Sequence, residues 1–126
     1  MVSLLVQNSP IKTLAFISLF FLSLMGMTTA QASERAENAW QALANGATLI
    51  DVRTPQEFTA EHLDDALNMP LSELSEQAKT LDRNAIIVVY CRSGNRASHA
   101  KRQLHEMGFD EVYNGGGLVE MKASQP

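Results

Sequence analysis

The chain is poor in the residues that build metal centres, internal disulfides and nucleic-acid surfaces. Its 126 residues include one cysteine and three histidines. One cysteine cannot close an internal disulfide, and it rules out redox pairs and zinc sites that need two or more thiolates. His99 and His105 are six apart on one predicted helix, the wrong spacing for a shared ligand face. No metal and no cofactor is therefore expected. Basic residues are also scarce, ten against fourteen acidic, for a net charge of −4. That balance argues against nucleic acid and anionic membranes as partners. There is no internal repeat and no low-complexity segment. The longest apolar run, Leu14 to Met25, is too short to span a bilayer comfortably.

That run reads as an export signal. Lys12 precedes it, and Ala30-Gln31-Ala32 follows as a small-x-small cleavage pattern. Cleavage after Ala32 predicts a leader over 1–32, a mature chain from Ser33 and a periplasmic location, with no stable membrane association afterwards. The remaining residues, 33–126, suffice for one small domain. They carry all the acidic residues and nine basic ones, a net charge of −5.

Hydrophobic periodicity predicts alternating elements in this domain. A helix is expected over 33–45, a strand over 48–52, and a short helix capped by Thr54 with Glu57 completing a capping box. A strand over 66–69, an amphipathic helix over 71–81 and a central strand over 85–90 come next. A helix over 95–107 ends at Gly108, and a last strand over 111–113 leads to three glycines and a polar tail. The alternation implies an α/β fold, a small parallel sheet with helices on both faces. Asp51/Arg53, Cys91–Arg96 and Asn114–Gly117 then fall at the carboxyl ends of strands, where open α/β sheets bind ligands. The glycines are expected to turn the backbone sharply beside the cysteine loop.

Cys91 is the most informative residue. The apolar run Ile86 to Val89 leads into Tyr90-Cys91-Arg92-Ser93-Gly94-Asn95-Arg96, and a helix starts directly afterwards. A strand, a tight loop and a helix start gather backbone N–H groups around one point, and the helix adds positive partial charge. Such a cradle favours the thiolate, the reactive form. An inert, buried cysteine is the alternative, but that role suits a mid-strand position better than one beside Arg92, Ser93 and Gly94. A lone cysteine in an exported chain also suggests a reactive free thiol or an intermolecular bond.

These residues resemble the rhodanese (thiosulfate sulfurtransferase) family across nearly the whole mature chain, and the single-domain, periplasmic phage shock protein E type in particular. Leu49-Ile50-Asp51-Val52-Arg53 with Glu57-Phe58 is similar to the family's first signature, in which the arginine and glutamate commonly pair. His62-Leu63, Ala66 and Asn68-Met69-Pro70 resemble the next stretch, Cys91–Arg96 the active-site loop, and Gly108-Phe109, Val112-Tyr113-Asn114 and Gly116-Gly117 the closing segment. Glu61 and Asp65 stand where the family usually has glycine, so a different local loop is expected. Met121 replaces a common tryptophan, so looser packing is expected at the chain end. His62 is expected to be structural, and Glu57 to cap and pair rather than to form an acid–base couple with Asp51.

The resemblance implies a sulfurtransferase. Cys91 would carry sulfane sulfur as a persulfide, taken from thiosulfate or a similar small donor and passed to cyanide or a thiol. Backbone amides of Arg92, Ser93, Gly94, Asn95 and Arg96 would bind the sulfur and the donor, with the Arg92 and Arg96 side chains attracting its sulfonate. Arg96 at the helix start is also suited to stabilising the loop. Four residues separate Cys91 from Arg96, one fewer than in cysteine phosphatases, so the cradle suits sulfur rather than phosphate. The other readings are a rhodanese-like sulfur-carrier or interaction module, and a redox-sensing thiol.

Overall fold

The computed structural model describes residues 32–126. Apart from Ala32, the predicted leader lies outside the described residues. Helix α1 (Glu34–Ala44) starts at Ser33, whose hydroxyl accepts the Ala36 N–H. Strand β1 (Thr48–Asp51) follows, then α2 (Pro55–Ala60) with the expected capping box between Thr54 and Glu57. Strand β2 is only Leu67–Asn68. The predicted single helix over 71–81 is instead a 3-10 turn (Leu71–Glu73), one α-turn α3 (Leu74–Gln77) and a second 3-10 turn (Ala78–Thr80). Strand β3 (Ile87–Cys91), helix α4 (Asn95–Glu106) and strand β4 (Val112–Gly117) come next.

Helix α5 (Leu118–Ala123) occupies what the sequence suggested was a polar tail. Leu118 and Met121, three apart, both point inward and are buried. Met121 is fully buried, and its carbonyl accepts the Trp40 indole N–H at 2.8 Å. The looser packing expected from the missing tryptophan is therefore not found.

All four strands are parallel, in the order β2-β1-β3-β4. Side chains along β3 alternate between two apolar layers. Ile87, Val89 and Cys91 face Leu74, Ala97, Ala100, Leu104 and Phe109. Val88 and Tyr90 face Ala36, Ala39, Leu118 and Met121. Helices thus cover both faces of the sheet.

The β3–β4 register shifts near the site. Val89 pairs with Asn114, but Cys91 pairs with Gly117, so β4 carries one extra residue there. The glycine run is part of this strand, not a loose connection after residue 113. At Asp65 the backbone takes φ 62°, the left-handed region that favours glycine. Asp65 thus holds a conformation that glycine adopts without strain.

Candidate active site

Cys91 is the last residue of β3, and the loop Arg92–Gly94 carries the chain into α4. The strand thus runs one residue further than the sequence suggested and includes the thiol. Gly94 precedes the helix with φ 98° and donates its N–H to Cys91 Sγ at 3.0 Å. A side chain here would meet two obstacles. Positive φ disfavours any residue with a Cβ, and a Cβ would lie 2.7 Å from Arg35 Nη2. Cys91 itself is 1 % exposed, so its sulfur lies beneath the loop rather than open to bulk water.

The other loop residues separate into two groups. Arg92, Ser93 and Asn95 are exposed. Arg96 is half-buried and engaged, its two Nη atoms donating to the Glu57 carboxylate at 2.7 and 3.0 Å. Glu57 therefore joins the start of α2 to the start of α4 while also accepting the Thr54 N–H and hydroxyl. The Arg96 ion pair holds the Glu57 carboxyl well below its ordinary range, at about 2. The Arg96 pKa is raised, chiefly by Glu57 and further by the charge of Cys91 and of Asp51.

The pairing expected between Arg53 and Glu57 does not form. Arg53 turns back to Asp51, donating from Nε at 3.0 Å and from Nη2 at 2.7 Å, and reaches the Glu61 carbonyl at 2.6 Å. Asp51 and Arg53 lie on the same side of an extended segment, and both are buried. Arg53 also lies 5.6 Å over the Tyr90 ring. Tyr90 hydroxyl accepts the Leu63 N–H, and burial raises the phenol's pKa. His62 stacks on Phe58 and bonds its carbonyl at 2.7 Å, a structural contact.

The closing glycines reach the loop: Gly116 takes the expected positive φ, 92°, and Gly117 approaches the loop closely. A Cβ on Gly117 would collide with the Arg92 carbonyl, so only glycine lets β4 press against the loop backbone. Asn114 bridges to Gly94 O and Ser98 Oγ at the start of α4.

Two residues not singled out from the sequence complete the surroundings. Arg35, in the first turn of α1, donates to both oxygens of Glu120 at 2.7 and 2.8 Å, and to Ser93 O at 3.3 Å. Glu120 in turn accepts the Gly117 N–H. Arg35 holds the Glu120 carboxyl at about 2. One signal for this pair was present. Glu120 follows Gly117 at helix-capping spacing, which marks a helix start, while Arg35 carries no signal of its own among the acidic residues of its first turn. Cys91 is thus flanked by two guanidinium–carboxylate pairs, one on each side of the sheet.

A family model described as "Rhodanese-like domain" matches residues 34–124. The thiosulfate sulfurtransferase PspE of Escherichia coli is 42 % identical over 74 residues, covering 57 % of this chain and 71 % of that protein. The thiosulfate sulfurtransferase GlpE of Pseudomonas syringae is 32 % identical over 85 residues, covering 68 % and 80 %. Among solved structures, a rhodanese with anions from E. coli superimposes with a TM-score of 0.59 at 38 % identity, covering 64 % of this chain and 95 % of that one. The human single-domain sulfurtransferase TSTD1 gives 0.58 at 25 % identity, covering 71 % and 93 %.

Proposed function

This chain belongs to the rhodanese family, and we propose that it is a sulfurtransferase whose Cys91 carries sulfur as a persulfide. The Cys91 thiolate attacks the outer sulfur of thiosulfate. A new S–S bond forms, the old one breaks, and sulfite leaves with the electron pair. Cyanide or a thiolate then attacks the outer persulfide sulfur, forming thiocyanate or a new persulfide and returning Cys91 as thiolate. Both steps are displacements at sulfur and need no cofactor. The names of the relatives PspE and GlpE support the thiosulfate donor.

The observation that carries the reading is the Gly94 N–H aimed at Cys91 Sγ in a loop whose helix end is anchored by Arg96–Glu57. A preorganised amide stabilises negative charge on the thiolate, on the transition state and on the persulfide anion. The Arg96 guanidinium is bound to Glu57, which supports its loop-stabilising role and leaves the exposed Arg92 to attract the sulfonate. Burial of the thiol favours a donor that presents sulfur at the tip of a small molecule. Export and removal of 1–32, which would place the enzyme in the periplasm, rest on the leader sequence alone.

Mass spectrometry after thiosulfate treatment tests this. Wild-type protein should gain one sulfur atom on Cys91 and lose it to cyanide. Cys91→Ser should gain none. Turnover by Cys91→Ser, or an unmodified wild type, overturns the assignment.

A further inference from the structure

A backbone N–H that points at a nucleophile has a consequence for the rest of its peptide unit. In a trans peptide the carbonyl points the opposite way, and it needs a partner of its own. The N–H of Gly94 and the carbonyl of Ser93 belong to one such unit, and the described chain has no cis bonds. The N–H donates to Cys91 Sγ at 3.0 Å. The carbonyl accepts from Arg35 Nη2 at 3.3 Å. A cation on the carbonyl end draws electron density from the amide and makes its N–H a stronger donor.

We propose that Arg35 is a positioning residue for sulfur transfer, fixing and polarising the Ser93–Gly94 peptide so that its N–H stays aimed at the Cys91 sulfur. This rests on the persulfide reading above but concerns a residue 56 positions from the thiol. Three observations converge on it. The guanidinium rests on the Gly94 α-carbon, where a Cβ would lie 2.7 to 3.0 Å from three of its atoms. Its Nε and Nη2 are anchored by both Glu120 oxygens, so the plane cannot swing freely although the side chain is 45 % exposed. Glu120 is itself tied to the Gly117 N–H beside the loop. Helix α1, helix α5 and the end of β4 thus converge on one peptide unit. The raised pKa of Arg35, due first to Glu120 and in part to the charge of Cys91, agrees with a guanidinium close to the sulfur.

Arg35 donates to Ser93 O and Glu120 and not to Sγ, so beyond its through-space charge its effect passes through the peptide. That separates it from a cation that merely attracts the donor. Three readouts on the full-length protein distinguish the two: the amide proton shift of Gly94 by NMR, the rate of Cys91 alkylation by uncharged iodoacetamide, and the kcat and KM for thiosulfate. Arg35→Ala should move the Gly94 amide proton upfield. It should slow alkylation and lower kcat by about five- to tenfold, the size of one ordinary net hydrogen bond, since the Gly94 N–H is weakened rather than removed. KM should change by less than about twofold. Arg35→Lys keeps the charge, but one ammonium cannot hold both Glu120 oxygens and reach Ser93 O, so it should restore only part of the rate.

An unchanged Gly94 amide, an unchanged or faster alkylation, or an effect confined to KM overturns the proposal. Full recovery by lysine does so too, because it leaves a general field as the cause. If Arg35→Ala fails to fold, Glu120→Gln loosens the same anchor and should shift the Gly94 amide in the same direction. A wild type that takes no sulfur from thiosulfate sinks the functional reading alone, since the amide shift and the alkylation rate still test Arg35.

Discussion

Replacing Asp51 with asparagine should be one of the most damaging single changes to stability in the domain. Asp51 is fully buried, and Arg53 is 5 % exposed. The carboxylate accepts the Arg53 backbone N–H at 2.9 Å, Nε at 3.0 Å and Nη2 at 2.7 Å. Asparagine removes the charge but not the volume. The guanidinium then keeps the Glu61 carbonyl, the face of Tyr90 and at most one neutral amide oxygen at position 51, with no counter-charge. Breaking a buried pair from one side typically costs about 3–5 kcal/mol, because the surviving charge is left without compensation. In a domain of about this size, 1 kcal/mol moves Tm by about 4–8 °C. The expected fall in Tm is therefore at least about 12 °C. Urea unfolding followed by circular dichroism gives the free energy, with the slope checked for two-state behaviour. The double variant Asp51→Ala/Arg53→Met should lose much less than the sum of its single changes, since no charge is then stranded. A loss below about 1 kcal/mol in Asp51→Asn refutes the reasoning, because the guanidinium must then be reaching water.

Acid should weaken the fold through both carboxylates flanking the thiol. Glu57 and Glu120 titrate near 2 when folded, against 4.5 ordinarily, so their stabilisation is fully present above pH 4.5 and is lost as pH falls toward 2. Partial exposure of both pairs reduces this to about 1 kcal/mol each; the urea midpoint should drop over that window, and the drop should shrink in Glu57→Gln. Asp65→Gly should stabilise the protein by about 0.5–1 kcal/mol, since the left-handed strain is relieved while the unfolded chain gains freedom. A lower Tm in that variant contradicts the turn described.

What was legible in the sequence was local. Thr54 and Glu57 announce their capping box within four residues, and the strand–loop–helix around Cys91 lies within one continuous segment. The alternation of strands with helical stretches implied the parallel sheet, because parallel neighbours need a crossover between them. What was missed is set by tertiary contacts. Arg35 and Glu120 are 85 positions apart, and no spacing rule connects them. Helix α5 has six residues and only Leu118 and Met121 as its inward pair, too few to show a period. The resemblance to the family's first signature pairs Arg53 with Glu57. The fold instead gives Arg53 a carboxylate two residues away in β1, and brings Arg96 to Glu57 from the helix that follows the neighbouring strand β3. The extra residue in β4 was also hidden, since a glycine run reads equally as strand, bulge or linker.

The Ser33 backbone N–H donates to Ser124 Oγ at 3.1 Å, so the first and last segments of the matched domain meet side by side. Splicing them with a short linker and opening the chain at the exposed turn over 82–84 should yield a circular permutant that still folds. In that rearranged protein α5 would run directly into α1. Glu120 and Arg35 would become near neighbours along the chain, and their alignment would no longer depend on two segments far apart in sequence docking independently.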